Sequence, residues 1–210
     1  MDLRSVVYGR RSIRRFKKEP VNIDDIRYMV EMATKAPSAN NMQPWKFIVI
    51  LNEEVKQKLK DAVEKKFDEF LMKMEDMDSK LFVKGYKNFA TFFAEAPAVI
   101  MVFCEKYESK LDSILRKWHI FPEGDINDLR GRPDIQSVAA AIQNLILAAY
   151  DKGYGTCWMC APNVAAQEIR EILGLEEKWM LCAVIPVGRP NEDPKERPRK
   201  PLEEVLEIIE

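Results

Sequence analysis

Arginine is concentrated near the amino terminus of the 210-residue chain. Residues 10–16 read RRSIRRF, so two arginine pairs flank Ser12 and Ile13. A guanidinium offers paired N–H donors that match phosphate oxygens, and a serine hydroxyl adds a neutral donor. The segment therefore predicts a phosphate site built from side chains, although a basic run near a terminus is also typical of a solvated surface.

A second polar segment, residues 36–45, reads APSANNMQPW. Its small polar residues are bracketed by Pro37 and Pro44, which predicts a rigid loop with several amide donors and acceptors. Such a loop suits the polar edge of a planar ligand. On composition alone, an ordinary connection between a helix and a strand is equally compatible with it.

Other chemistries are disfavoured by the residues present. The only histidine is His119 and no G-x-S-x-G motif occurs, so a Ser-His-Asp hydrolase is not predicted. Cys157 and Cys160 have redox or metal-ligand spacing, but no second pair of ligands accompanies them, which favours a structural role. The G-x-G at Gly153 and Gly155 lacks the third glycine of a dinucleotide-binding loop and follows a predicted helix.

The composition is that of a globular protein without a strong charge. The 33 Lys and Arg nearly balance 34 Asp and Glu, which argues against binding to nucleic acid or to an anionic membrane. Hydrophobic residues make up 47% and charged residues 32% of the chain. No membrane-spanning stretch and no secretory signal is visible, and four cysteines are expected as free thiols, so a cytoplasmic location is predicted.

Predicted helices and strands lie between and after the two polar segments described above. Asn22, with Asp25 three residues on, resembles a capping box and begins a helix that stops before Pro37. Residues 47–51 and 98–103 are apolar runs without polar alternation, typical of strands covered on both faces. Between them, residues 53–94 predict two or more amphipathic helices.

The second half of the chain begins with a stretch of mixed polarity. Residues 104–133 predict an insertion or lid outside the main layers. Residues 134–150 predict a long central helix, and Asn163 is expected to cap a helix that ends near residue 173. A third buried strand is predicted over residues 181–187.

The final segment, residues 189–210, contains four prolines among charged residues. Proline cannot donate a backbone hydrogen bond, so most of this arm is expected to run extended over a surface. A short helix over residues 202–209 would carry an apolar face, for which a partner subunit is one candidate.

Together these segments resemble the nitroreductase family of flavoproteins. Three signatures occur in the family's order: RRSIRRF, then APSANNMQPWKFIVI, then AAAIQNLILAAYDKGYGTCW followed by VIPVGRP. They lie within residues 6–51 and 135–190, and the intervening chain matches only in its general pattern. The resemblance implies an α+β fold with a mixed sheet flanked by helices, in one domain spanning residues 1–210. It also implies an intertwined homodimer.

The resemblance further implies an FMN at each of two subunit interfaces. In this chain, the expected ligands of the phosphate and ribityl chain are Arg10, Arg11 and Ser12, with Arg189, after Gly188, as a second phosphate ligand. Arg14 would lie near the pyrimidine edge, where a cation stabilises the charge of reduced flavin. Contacts from the other subunit would come from Pro37, Ser38, Asn41 and Gln43. Backbone amides facing flavin N5 and O4 would come from Trp158, Met159, Cys160 and Ala161.

The reaction implied by the resemblance uses NADH or NADPH as donor. Hydride would pass to flavin N5, and a nitroaromatic, quinone or other conjugated small molecule would then take the electrons, with no catalytic side chain assigned. Reductive dehalogenation or flavin fragmentation on the same scaffold is an alternative, selected by the insertion. A third alternative is that the protein binds FMN without catalysing a reaction. A fourth is that it binds no flavin and the arginine segment is a solvated surface.

Overall fold

A four-stranded sheet forms the centre of the structure, a computed structural model that describes residues 1–120 and 126–210. Its strands are β1 (Trp45–Ile50), β2 (Ala98–Glu105), β3 (Gly155–Thr156) and β4 (Trp179–Gly188), in the spatial order β1-β2-β4-β3. All pairings between these strands are antiparallel. Outside the strands, Ser12 forms an isolated parallel bridge with Thr156. Helices cover both faces, which confirms the predicted α+β class.

The position of a strand in the sheet determines how far it is buried. Strand β2 lies between β1 and β4, and its residues from Ala98 to Cys104 are fully buried, as predicted. Strand β1 is an edge strand and only half-buried, so the expectation that both its faces are covered is wrong. Its apolar run packs against helices without being enclosed by a second neighbour.

One face of the sheet carries α2 (Ile23–Thr34) and α7 (Pro133–Asp151), the latter being the predicted central helix. Asn22 caps α2, since its side chain accepts a hydrogen bond from the amide of Asp24 at 2.7 Å. The capping box is not completed, because Asp25 instead accepts a hydrogen bond from the Tyr154 hydroxyl at 2.9 Å.

The opposite face carries α3 (Glu53–Met72), α4 (Met77–Thr91) and α8 (Ala166–Ile172). The first two confirm the amphipathic helices predicted for this region. The cap predicted at Asn163 is wrong: that residue lies in a 3-10 turn, Ala161–Ala165, and its side-chain amide donates to the Cys182 carbonyl at 2.8 Å. Its polar group therefore binds the neighbouring strand instead of a helix terminus.

The predicted insertion is shorter than residues 104–133, because β2 includes Cys104 and α7 begins at Pro133. It contains α5 (Lys110–Lys117) and α6 (Ile126–Leu129), while its residues 121–125 lie outside the described part. Asp112 is buried and pairs with Arg130, which joins the two helices. The role of this segment as a lid stays a prediction.

The two ends of the chain differ from expectation in opposite ways. A helix that the sequence did not predict, α1 (Leu3–Gly9), is capped by Asp2. The predicted helix over residues 202–209 is reduced to a 3-10 turn, Leu202–Glu204. Among the helices of the described ranges, none combines the length and apolar composition that crossing a bilayer requires.

Candidate functional site

The arginine segment lies extended between β3 and the beginning of the carboxy-terminal arm. The Ile13 amide donates to the Thr156 carbonyl at 2.9 Å, and the Lys17 amide donates to the Arg189 carbonyl at 2.9 Å. A Cβ at Gly155 would lie 2.5 Å from Ile13 Cγ1, so only glycine allows the segment to approach this closely. The backbone is thus held on two sides, and the arginine side chains are free to project from it.

Four predicted residues line one cavity of about 160 Å³, which we call the cationic cavity. Its walls are formed by Arg10, Arg11, Ser12 and Arg14 together with Pro194, Lys195, Glu196, Arg197 and Arg199 of the arm. Six of these side chains are cations and one is a carboxylate. This excess of positive charge suits a multiply charged anion.

The charges of the cationic cavity are only partly compensated within the chain. Arg11 pairs with Glu196, with 3.4 Å between Nη2 and Oε2. No carboxylate of residues 1–120 and 126–210 lies within ion-pair distance of Arg10. Burial lowers the pKa of Arg10, and the neighbouring charges of Arg199 and Arg11 lower that pKa further. A phosphate dianion placed here would relieve this repulsion.

The arm contributes five of the nine residues that line this cavity, which the sequence alone does not predict. Glu192 accepts hydrogen bonds from the backbone amides of Arg14 and Arg15, which fixes the arm against the arginine segment. Lys195, Arg197 and Arg199 follow directly and complete the cavity wall. The basic run of residues 195–200, KERPRK, was the available indication, but nothing local in the sequence shows which surface it meets.

The loop of residues 157–161 meets the arginine segment through Cys157, which does not itself line the cavity. Burial raises the pKa of this thiol, an effect opposed by the charge of Arg14 and by a hydrogen bond with Ser12. Among the predicted residues of the loop, Trp158 and Cys160 are exposed, whereas Met159 is buried. The amide and carbonyl of Met159 are both bonded to Val184, so this residue has no free amide to offer a ligand.

The cysteines of the C-x-x-C spacing do not form a shared site. Cys157 is buried and Cys160 exposed, and both are free thiols, as are Cys104 and Cys182. In the described ranges, no group of three or more His, Cys, Asp or Glu residues could hold a metal ion. Ala161, the last predicted residue of this loop, begins the 3-10 turn that follows.

Arg189 and Gly188 are not among the residues that line the cationic cavity. The guanidinium of Arg189 lies over the ring of Tyr154, 4.0 Å from its centroid, and donates to the Lys152 carbonyl at 2.7 Å. A Cβ at Gly188 would lie 2.7 Å from Pro97 Cδ, so this glycine permits close packing at the end of β4. Both residues lie beside the end of the arginine segment, where the Arg189 carbonyl accepts from the Lys17 amide, but neither lines the cationic cavity.

The loop of residues 37–43, which we call the strained loop, has an unusual backbone. Asn40, Asn41 and Gln43 have φ angles of 50°, 55° and 53°, in the left-handed region, which costs about 1–3 kcal/mol for each such residue. The Ser38 hydroxyl holds the loop by accepting from the Gln43 amide at 3.1 Å. Backbone strain of this kind is typical of binding sites.

Within one chain, this loop and the start of the arginine segment lie beside opposite ends of α7. Pro37 and Ser38 line a separate cavity of about 400 Å³ beside Ser137, near the start of α7. The arginine segment begins beside the other end of α7, where Gly9 faces Tyr150. Thirteen residues of helix separate these two points, which corresponds to about 20 Å along the axis. One chain therefore does not bring the two predicted parts of the site together.

The chain also resembles named relatives and solved structures over nearly its full length. The Bacillus subtilis protein YfhC, named as an NAD(P)H nitroreductase, is 31% identical over 202 residues, covering 95% of this chain and 90% of YfhC. A BluB-like flavoprotein of Clostridium difficile 630 superposes with a TM-score of 0.90 at 33% identity, covering 100% of both chains. An iodotyrosine deiodinase solved with FMN and 3-iodo-L-tyrosine gives a TM-score of 0.69 at 25% identity, covering 99% of this chain and 97% of that one.

The sequence model of one family accounts for most of the chain. The nitroreductase family matches residues 7–189, a range that includes the arginine segment, the strained loop and β4. The matched range, the relatives and the α+β architecture agree with the three signatures read from the sequence. The chain belongs to the nitroreductase family.

Proposed function

We propose that this protein is an FMN-dependent oxidoreductase that takes electrons from NADH or NADPH and passes them to a nitroaromatic, quinone or similar conjugated acceptor. The observation that carries the proposal is the cationic cavity, in which Arg10 is partly buried and pairs with no carboxylate of the described residues. Membership of the nitroreductase family and the FMN-bound deiodinase support the identity of the anion as the FMN phosphate.

Several residues of the cavity have the chemistry to hold that phosphate. Arg10 and Arg199 would pair with its oxygens, and the Ser12 hydroxyl would donate a further hydrogen bond. Glu196 keeps Arg11 oriented at the rim. We assign Arg199 the role that the resemblance gave to Arg189, because Arg189 is engaged with Tyr154 and Lys152.

Arg14 would act on the electronic state of the cofactor. FMN, when bound, supplies a ring that accepts hydride from a nicotinamide and returns electrons to an acceptor. The guanidinium of Arg14 is held over the Phe89 ring, 5.6 Å from its centroid, which keeps a positive charge fixed at the cavity. A fixed cation of this kind stabilises negative charge that develops nearby during reduction.

The protein is proposed to work as a homodimer. The strained loop with Pro37, Ser38, Asn41 and Gln43 lies beside Ser137, about 20 Å along α7 from Tyr150, where the arginine segment begins. A second copy can place this loop against the cofactor held by the first. Complete cofactor sites would then exist only in the dimer.

The overall reaction needs no ionisable side chain at the reacting atoms. With a quinone as acceptor, NAD(P)H and one proton from solvent yield NAD(P)⁺ and the hydroquinone, so two electrons and two protons are transferred. The contribution of the chain is to bind, to orient and to fix positive charge.

The test compares FMN binding by the wild type with binding by a double variant, Arg10→Ala with Arg199→Ala. Loss of two charge-assisted hydrogen bonds should raise the FMN Kd by about 100-fold. The melting temperature of the apoprotein should stay within about 2 °C, because the substitution also removes repulsion. Arg15→Ala, an exposed neighbour outside the cavity, is the matched control. Equal FMN affinity in the double variant and the wild type would remove these residues from the site.

Turnover is tested by anaerobic addition of NADH or NADPH to the FMN-loaded protein. Flavin absorbance that bleaches with one donor and returns on addition of a quinone supports the proposal. Flavin absorbance that stays unchanged after addition of either donor would indicate a protein that binds FMN without catalysing this reaction.

Reductive dehalogenation is the second candidate, favoured by similarity to the iodotyrosine deiodinase. In that reaction the carbon–iodine bond breaks, and two electrons and one proton convert the iodoarene to the arene and iodide. Release of iodide from 3-iodo-L-tyrosine by the reduced protein would support this candidate, and its absence under conditions of quinone turnover would exclude it.

A further inference from the structure

A hydrogen bond between two side chains ties the strained loop to the segment that follows β2. The Asn40 side-chain amide donates to the Tyr107 hydroxyl, with 2.6 Å between Nδ2 and Oη. Asn40 is exposed and has one of the positive φ angles of the loop. Tyr107 is only 6% exposed and lies between β2 and α5. The bond therefore joins an exposed, strained residue to a buried one.

Tyr107 is itself held from the side of α6. The Asn127 side-chain amide donates to the Tyr107 carbonyl at 2.7 Å, and Asn127 is 1% exposed. The Asn127 carbonyl in turn accepts from the amides of Arg130 and Arg132, at 3.2 Å and 2.7 Å. Burial and this backbone bond fix Tyr107, so its hydroxyl is a rigid anchor for Asn40.

Two further hydrogen bonds hold the loop near its ends. The Ala39 amide donates to the Ser137 hydroxyl at 3.2 Å, and the Glu105 amide donates to the Pro44 carbonyl at 2.8 Å. Between these points the chain passes through the residues with positive φ. Backbone in the left-handed region persists only where the surroundings enforce it. The bond to Tyr107 is placed to do this in the middle of the loop.

We infer that Tyr107 is a positioning residue for the cofactor: through Asn40, it holds the strained loop in the conformation in which Asn41 and Gln43 meet the FMN of the second subunit. The inference rests on the proposed function, in which this loop completes the cofactor site. A loop that already has its bound conformation pays less ordering free energy on binding. Loss of the Tyr107 hydroxyl should therefore weaken FMN binding, although its partner is the loop and not the cofactor.

The exposure of Asn40 separates this positioning role from a role in stability. When the hydroxyl is removed, water can accept the hydrogen bond of the exposed Asn40 amide. The positive φ angle is then no longer enforced, so the loop can relax. The apoprotein is expected to lose little stability while the loop leaves its FMN-binding conformation.

The test removes each half of the hydrogen bond in the full-length protein. Tyr107→Phe keeps the ring and removes the hydroxyl, and should raise the FMN Kd by about three- to tenfold, mainly through faster dissociation. Asn40→Gly removes the amide where glycine accepts the φ angle of 50°, and should raise the Kd similarly. At saturating FMN, the visible circular dichroism of the bound flavin should differ from wild type in both variants. The melting temperature of each apoprotein should stay within about 2 °C of wild type.

The double variant, Asn40→Gly with Tyr107→Phe, shows whether Tyr107 acts through Asn40. Its FMN Kd should lie within about twofold of that of Asn40→Gly alone, because both substitutions break the same bond. Changes in Kd that multiply would mean independent effects and would overturn the inference. Tyr28→Phe is the matched control, since Tyr28 lies on α2 and lines neither the cationic cavity nor the cavity beside Ser137. It should leave the FMN Kd unchanged.

The remaining outcomes distinguish this inference from the proposed function. An FMN Kd for Tyr107→Phe within about twofold of a wild type that binds FMN would overturn this inference alone, whatever the melting temperature. If Tyr107→Phe does not fold, the same measurements on Asn40→Gly, at an exposed position, decide the question. A wild type that binds no FMN would overturn both this inference and the proposed function.

Discussion

Arg10 and Arg189 show how the same residue type takes different roles in different surroundings. Arg10 is partly buried beside Arg11 and Arg199, and no carboxylate in residues 1–120 and 126–210 pairs with its charge. Arg189 has an aromatic face and a backbone carbonyl at its guanidinium. A partly buried cation beside like charges is costly for a stable protein and useful for an anion site. The groups around each arginine, more than its position in a sequence motif, therefore indicate which arginine is the candidate phosphate ligand.

Two buried thiols give the protein a stability that depends on pH. The pKa of Cys104 is raised by its hydrogen bond with Cys182 and then by burial, and the pKa of Cys157 is raised by burial. In the unfolded chain both thiols ionise near pH 8.5. Because the folded state retains these protons, the unfolded state is favoured as pH rises above that value.

We expect the free energy of unfolding to fall between pH 7.5 and 10 by up to about 2 kcal/mol for each of these thiols. The contribution is fully present below pH 8.5 and is lost above it. Denaturant unfolding of the wild type and of Cys104→Ala with Cys157→Ala measures it, since the double variant should lose less stability over this range. Identical slopes against pH would contradict the prediction. Cys160→Ala, at an exposed thiol, is the control.

At the scale of elements, a buried lysine joins α3 to the turn before β2. The Lys56 side chain is 2% exposed, and its ammonium donates to Glu53 Oε1 and to the Ala96 carbonyl, each at 2.6 Å. The carbonyl of Ala96 would lack this donor if Lys56 were shortened. The interaction fixes the beginning of a long amphipathic helix to the edge of the core.

Lys56→Ala is expected to destabilise the protein by about 1–3 kcal/mol, because it leaves a buried acceptor without its donor and removes packed methylenes. Chemical denaturation measures the difference. Lys58→Ala, on the exposed side of the same helix, should change stability by less than about 0.5 kcal/mol. Equal losses in the two variants would refute the assigned role of Lys56.

The elements also show where local sequence patterns were insufficient. Apolar periodicity predicted the long helices α3, α4 and α7 and strand β2 correctly, because each buries a broad face. Helix α1 has only seven residues, and Asn163 does not cap a helix because its side chain donates to the Cys182 carbonyl. Short elements are decided by such tertiary contacts more than by local propensity.

At the scale of the whole molecule, the apolar residues of the arm are left uncovered by the described residues of a single chain. Leu202, Val205, Leu206, Ile208 and Ile209 are all exposed. The predicted helix over residues 202–209 is absent in the single chain. Because an amphipathic helix of this length needs a surface to pack on, its formation would depend on the proposed second subunit.

We expect Leu206→Asp with Ile209→Asp to shift the protein from dimer towards monomer and to weaken FMN binding at the same protein concentration. The physical reason is that the substitutions place two charges in the apolar contact proposed for the arm. Sedimentation velocity and FMN titration on the same samples measure both effects. Glu207→Gln, within the same segment, should alter neither. Dimers that persist with full FMN affinity would contradict a role for this face.

The sequence by itself determined the fold class, the long helices and the buried strand β2. It also determined which segments carry residue types suited to ligand binding, because hydrophobic periodicity and residue type are local properties. Only the tertiary structure showed that Lys195, Arg197 and Arg199 face Arg10, that Arg189 stacks on Tyr154, and that the strained loop lies at the other end of α7. These outcomes depend on which distant segments meet. Contacts between residues about 190 positions apart are set by the packing of the core, which no local pattern encodes.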